Sequence, residues 1–264
     1  MAYKKIAVLG CGNIGMSIIE GILRKKNIDQ GDIIATKRNV DNSALKGSAI
    51  RIITENIQAV RDSELIIIAV KSYNFIDLLK EIKNYLDPQK HIIISVTTGI
   101  SIGRIKNETD VRIPVFRAMP NISASVNSSV TCISHNGEDI EKAEAVKSLL
   151  DNIGTTMFIE EQLMESATIL GSCGVAFVLR FIRAMIQGGI QIGFDAATAS
   201  SIVNNTVKGA AELLIEGHQH PEKEIDRVTT PKGCTIVGLN EMEHNGFSSS
   251  LIKGIVASFE RIER

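Results

Sequence analysis

The first apolar run of the chain stops at a set of glycines, and that stop constrains everything after it. Ile6-Ala7-Val8-Leu9 leads into Gly10-Cys11-Gly12-Asn13-Ile14-Gly15, with glycines spaced G-x-G-x-x-G, and apolar residues then recur at helical intervals over 16–23. Strand, tight turn and helix follow in order, which is the context that gives the pattern meaning. Gly10 permits the turn, Gly12 lets the backbone approach a pyrophosphate, Gly15 allows helix to pack close on strand, and the helix N-terminus offers free N–H groups to an anion. A glycine turn kept for packing alone is the competing reading. The placement between a buried-looking strand and an amphipathic helix favours a dinucleotide site.

Further strands are expected at 32–36, 51–54, 65–70, 91–96, 111–117, 129–134 and 155–159, with amphipathic helices between them, among them 138–150. Alternating short apolar strands and helices predict an α/β fold, a Rossmann-type doubly wound and mostly parallel sheet. From about residue 161 strand-like runs cease, and Gly, Ala, Ile and Met recur at helical spacing over 163–214 and from 235 onward. This predicts a dinucleotide-binding domain over 1–160 and an all-helical domain over 161–264. The helical part is rich in small residues, as in Gly188-Gly189, Gly193, Ala196-Ala197 and Gly209-Ala210-Ala211. These fit either close packing within one chain or a small helical unit that completes its core against a second copy.

A chain of 264 residues with a formal net charge of −1 has ample material for a core and no electrostatic reason to bind nucleic acid or an anionic membrane. No uninterrupted run of eighteen apolar residues occurs, and the start Met1-Ala2-Tyr3-Lys4-Lys5 shows no signal-peptide cleavage pattern, so a cytoplasmic protein acting on a small molecule is expected. Cys11, Cys132, Cys173 and Cys234 are widely separated, and no cysteine or histidine sits at metal-ligand spacing. Reduced thiols and no metal are the expectation. His218 and His220 read as a surface-loop pair.

The end of the second strand bears on cofactor choice. NAD-preferring sites usually place an acid there, whereas this strand ends Ala35-Thr36-Lys37-Arg38-Asn39, with no acid before Asp41. Thr36, Lys37 and Arg38 can receive an extra phosphate, which favours NADP; a solvated basic turn is the plain alternative. Lys71 stands at the carboxyl end of the fourth strand, where open α/β sheets bind ligands. Asn56, Ser95, Thr97 and Thr98 offer small polar groups near neighbouring strand ends. In the helical part, Val228-Thr229-Thr230-Pro231-Lys232-Gly233-Cys234-Thr235 has the composition of a helix start, with hydroxyls at the cap and Pro just inside. Its N–H groups with Thr230 and Thr235 can hold a small carboxylate, and a plain capped helix explains it equally. No triad, paired carboxylates or H-E-x-x-H supplies a strong acid or base. A reductase of an already activated electrophile such as an iminium needs chiefly orientation and a hydrogen bond.

Along nearly its whole length the sequence resembles the pyrroline-5-carboxylate reductases. The matching stretches are the glycine loop, Ala69-Val70-Lys71, Arg117-Ala118-Met119-Pro120-Asn121, Gly188-Gly189-Ile190-Gln191-Ile192-Gly193, His220-Pro221, the Val228 stretch and the tail around Gly246-Phe247. The resemblance implies hydride transfer from NADPH, with NADH possible, to the C=N carbon of 1-pyrroline-5-carboxylate, giving L-proline. It also implies a homodimer, or a higher oligomer built from dimers. By position, Thr235 would hydrogen-bond the substrate near its ring nitrogen, Thr230 and the Gly233 and Cys234 amides would hold its carboxylate, and Asn56, Ala69, Val70 and Lys71 would line the cofactor site. The sequence departs from the family at Lys232 for a usual Gly or Ala, Cys234 for Thr or Ala, Ser72 for Pro, and over 171–177. A reductase of another cyclic imine or carbonyl acid, and an NADP-binding sensor without chemistry, are the competing functions.

Overall fold

The structure, a computed structural model, describes residues 5–39, 50–137 and 139–262. Asp41, Glu138 and the opening Met1-Ala2-Tyr3-Lys4, on which parts of the sequence reading fell, lie outside the described residues. The chain forms two compact units, one of residues 1–173 with 261–264, the other of 174–260.

The first unit is built on β1 (Ile6–Leu9), α1 (Asn13–Lys25), β2 (Ile33–Thr36), β3 (Arg51–Ile53), α2 (Asn56–Arg61), β4 (Leu65–Ile68), α3 (Ser72–Ile82), β5 (Ile92–Ser95), α4 (Ile102–Glu108), β6 (Val115–Met119), β7 (Ser129–His135), α5 (Ile140–Leu150) and β8 (Gly154–Phe158). The strands make one eight-stranded sheet in the order β3-β2-β1-β4-β5-β6-β7-β8. Every neighbouring pair is parallel except β6 and β7. That exception follows from chain length. Only a short stretch with one 3-10 turn, Ile122–Val126, joins β6 to β7, too little for the crossover a parallel pair requires. The central strands β1, β4 and β5 are buried on both faces, with helices covering each, which is why they read as unbroken apolar runs.

The strand expected over 111–117 lies instead at Val115–Met119. Asp110 accepts the Ile113 amide at 3.0 Å in a turn, and Pro114 has no N–H to give a ladder. Beyond β8 the chain passes through a 3-10 turn at Glu161–Leu163, α6 (Met164–Ala167) and a π-helical stretch, Thr168–Cys173.

The second unit holds α7 (Gly174–Gln191), α8 (Ala196–Gly217), α9 (Pro221–Val228), α10 (Cys234–His244) and α11 (Phe247–Glu260). Within it α7 meets α8 closely at Gly189, where an added Cβ would stand 3.2 Å from that of Ala199, whereas Gly188 and Gly209 face open space. The small residues thus serve packing inside the chain at one position and leave helix surface bare at others. Only Ala199 and Val203 of its helical residues are buried, and Leu179, Ile192, Ile215, Val237 and Ile252 are each more than half exposed. Glu161–Gln191 is also long and apolar enough to cross a membrane by length and composition, although Arg180 and Arg183 interrupt its apolar run.

α9 escaped the sequence reading because Glu222, Lys223, Glu224, Asp226 and Arg227 leave it almost no apolar stripe. Its start is nonetheless specified. His220 is the cap, its Nδ1 accepting the Glu222 amide at 3.3 Å, and Pro221 takes the first helical position. His218 ends α8 in the left-handed region.

Candidate active site

The doubly wound order reverses between β1 and β4, and the carboxyl ends of those two strands open a cleft of about 410 Å³. Gly10, Cys11, Gly12, Thr36, Lys37, Arg38, Asn56, Ala69, Val70 and Lys71 all line it, so most of the residues expected at the cofactor site are brought together. Asn13, Ile14 and Gly15 continue from the loop into the first turn of α1.

The loop glycines have separable reasons. Gly10 has φ +81° and an added Cβ would lie 2.3 Å from Val70 Cγ1, so the turn after β1 is pressed against the turn after β4. An added Cβ on Gly15 would stand 3.3 Å from Val8 Cγ1 and 3.5 Å from Ala69 Cβ, so the first turn of α1 packs close on the strand. Gly12 is different: a Cβ there would meet nothing nearer than 4.0 Å. The protein itself does not demand a glycine at 12, whereas a pyrophosphate seated on the backbone would. This open cradle at a helix N-terminus, with Lys37 and Arg38 farther along the cleft, fits a phosphorylated dinucleotide.

Cys11 lines the cleft but is almost wholly buried. Its side chain is 2% exposed and its thiol points at the Met16 thioether, 3.1 Å away. Burial pushes the thiol up to about 11, the Lys37 charge pulling weakly the other way.

Thr36 is tied into the protein. Its hydroxyl accepts the Gly10 amide at 3.1 Å and donates to Asn56 Oδ1 at 2.6 Å, while its carbonyl takes the Cys11 amide at 2.7 Å. Thr36 thus fastens the glycine turn to the end of β2, and Lys37 and Arg38 remain the basic groups of the wall. Thr97 likewise donates its hydroxyl to the Val70 carbonyl at 2.9 Å, Ser95 is buried, and Thr98 lies outside the cleft lining.

Sequence reasoning missed Thr54, Asn74, Asp77, Leu78 and Glu81, which complete the lining. The last four fall at i, i+3, i+4 and i+7 of α3, one helix face, a spacing present in the sequence without any mark of what it faces.

In the second unit the Val228 stretch differs from the expected helix start. Pro231 stands before the helix, not inside it: α10 begins at Cys234, Gly233 is its cap, and no side chain caps it. The Gly233 amide donates to the Thr230 carbonyl at 2.9 Å across a turn with Pro second and Lys232, at φ +60°, third. That is the pattern of a type II turn. It uses the Gly233 N–H internally, leaving the Cys234 and Thr235 amides as the first without helical partners. An added Cβ on Gly233 would come 2.5 Å from Thr230 Oγ1, so the threonine hydroxyl sits over this turn.

A mostly parallel sheet with a glycine turn at its switch point, followed by an all-helical unit, defines a dinucleotide-binding protein of Rossmann type. Residues 5–99 match the family model "NADP oxidoreductase coenzyme F420-dependent", and residues 161–264 match "Pyrroline-5-carboxylate reductase dimerisation". Pyrroline-5-carboxylate reductase 2 of Dictyostelium discoideum is 40% identical over 98% of this chain and 92% of its own length. The chain therefore belongs to the pyrroline-5-carboxylate reductase family. Reductase 1 of the same organism is 42% identical, and the chain spans 49% of that longer relative. Among solved structures, the Streptococcus pyogenes 1-pyrroline-5-carboxylate reductase superposes with a TM-score of 0.86 at 27% identity, covering 98% of this chain and 97% of that one. The Plasmodium falciparum pyrroline carboxylate reductase with NADP bound gives 0.90 at 24% identity, covering 97% and 96%.

Proposed function

We propose that this chain reduces the C=N bond of 1-pyrroline-5-carboxylate with NADPH, NADH serving less well, to give L-proline, the last step of proline biosynthesis. The observation that carries the reading is near full-length similarity to named reductases of this substrate, at 40% identity to the Dictyostelium enzyme. The cleft with its open Gly12 cradle supports the cofactor part.

When bound, the nicotinamide supplies the hydride. The chain's own part is positioning. Gly10, Gly12 and the N-terminus of α1 would seat the pyrophosphate, Lys37 and Arg38 the added phosphate, and Ala69, Val70 and Lys71 the path along the sheet edge. Thr235 would hydrogen-bond the ring nitrogen; hydride addition to the adjacent carbon of the protonated imine turns its N–H⁺ into a neutral secondary amine, so this step takes up no further proton. Thr230 with the Cys234 and Thr235 amides would hold the carboxylate. Gly233 serves that site through the turn, since its amide is given to Thr230. No buried acid is required, because a protonated imine is already electrophilic.

The bare apolar faces of the second unit, within the span matched by the dimerisation family, support assembly as a homodimer or an oligomer of dimers. A working division at residue 160 and a cytoplasmic location complete the proposal. Following NADPH and NADH oxidation with 1-pyrroline-5-carboxylate, first in the native enzyme and then in Thr235→Ala, tests it. Turnover lost without loss of NADPH binding is the expected result. No turnover by the native enzyme with this substrate, and turnover with another cyclic imine, would overturn it.

A further inference from the structure

The wall of the cleft facing Lys37 and Arg38 is acidic. Asp77 and Glu81, exposed and one turn apart on α3, line the same cleft. The two walls are joined by side-chain hydrogen bonds: Arg38 donates to Asn74 Oδ1 at 3.1 Å, and Asn56 Nδ2 donates to both Glu81 oxygens at 3.2 and 3.1 Å. Asn56 is oriented at its other end as well, since Oδ1 accepts from the Thr36 hydroxyl. Its amide donor is therefore aimed at Glu81, and Glu81 is where the fold delivers the carboxylate that the end of β2 lacks.

We propose that Glu81 sets the cofactor preference by opposing the 2′-phosphate of NADPH while tolerating the ribose hydroxyl of NADH. The proposal rests on the cofactor reading above. Two effects act in the same direction. A carboxylate on the wall facing Lys37 and Arg38 repels a phosphate carrying more than one negative charge, whereas a hydroxyl can donate to it. Glu81 also occupies the Asn56 donor, which a phosphate would otherwise receive. The preference created by Lys37 and Arg38 is thereby held to a modest ratio, and one charge decides how modest.

The test is equilibrium titration of the full chain with NADPH and with NADH, followed by nucleotide fluorescence, for the native protein, Glu81→Gln, Glu81→Ala and Asp77→Asn. Glu81→Gln keeps an acceptor for Asn56 and removes only the charge. It is expected to tighten NADPH by roughly three- to tenfold and to leave NADH within about twofold, as for one charge acting through partly solvated space. The gain should shrink as salt rises, because the interaction is exposed to screening. Asp77→Asn, without the Asn56 contact, should give a smaller shift in the same sense. An unchanged NADPH affinity in Glu81→Gln overturns the proposal, as does an equal change for both nucleotides. A gain in Glu81→Ala alone would assign the effect to the freed amide and overturn the charge argument. If the native chain binds neither nucleotide, the cofactor reading itself fails and this inference falls with it.

Discussion

Arg117 Nη2 lies 3.0 Å from Glu165 Oε1, and its Nη1 lies 3.3 Å from Glu161 Oε1, so one strand residue holds the start of the turn after β8 and the first turn of α6. The arginine side chain is 3% exposed and the two carboxylates about a quarter exposed. Glu161 also accepts the Ile102 amide at 2.7 Å, which brings the start of α4 into the same junction. Met119, Cys132 and Met164, from β6, β7 and α6, form a small buried cluster of their own. Truncating the guanidinium removes the partner of two partly buried acids. Arg117→Met should destabilise by about 3 kcal/mol, at the low end for broken buried pairs because the acids keep some water. Combining it with Glu161→Gln and Glu165→Gln should recover part of that loss. Urea unfolding of the single and triple variants measures both.

The two open-loop glycines should fail in different ways. Gly10→Ala sets a Cβ against Val70 at a backbone φ of +81°, so it should lower the unfolding temperature and weaken NADPH binding together. Gly12→Ala has free space around its Cβ, so the protein should fold as the native one does while NADPH binding falls at least about tenfold. Thermal unfolding beside nucleotide titration separates them. A Gly12→Ala protein that binds NADPH normally would mean that the pyrophosphate does not rest on this loop.

Cys11 supplies a pH dependence with a definite sign. Its folded-state thiol titrates at about 11, above the ordinary value of 9.0, because burial disfavours the thiolate. A raised value means that the folded state keeps its proton where the unfolded chain has released one. This contribution is intact below pH 9 and is lost as pH climbs from 9 toward 11. Unfolding free energy should fall over that window, and Cys11→Ala should flatten the fall. In alkylation at pH 8, exposed Cys234 should be modified well before Cys11.

How much of this was legible in the sequence depends on the range of the interaction. The glycine loop was, because strand, turn and helix are set by adjacent residues such as Leu9, Gly10 and Met16. Lys37 and Arg38 were, since they follow the strand directly. The engagement of Thr36 by Gly10 and Asn56 was not, because the partners come from different βα units and their side chains carry no local mark. Glu81 was missed for the same reason. Arg117 stood out only as part of a family-specific stretch; its charge partners lie beyond β8 and become visible once β6 and that turn are side by side. Pro231 misled because proline suits both the first position of a helix and the second of a turn, and the φ of Lys232 decides between them.

That same φ yields the last prediction. Lys232 sits at +60°, a region that costs a side-chain-bearing residue roughly 1–2 kcal/mol. The left-handed φ is the third-position conformation of the type II turn that the Gly233 amide closes onto the Thr230 carbonyl with Pro231 second. Lys232→Gly should therefore stabilise the protein by about 1 kcal/mol, less than the full strain because glycine also gains freedom in the unfolded chain. If the exposed ammonium assists in holding the substrate carboxylate, the same change should raise KM by up to about fivefold, the ceiling for a solvent-exposed ion pair, with kcat little altered. Thermal unfolding and steady-state kinetics read the two effects independently. A raised melting temperature with an unchanged KM would leave Lys232 as a strained turn residue with no part in binding.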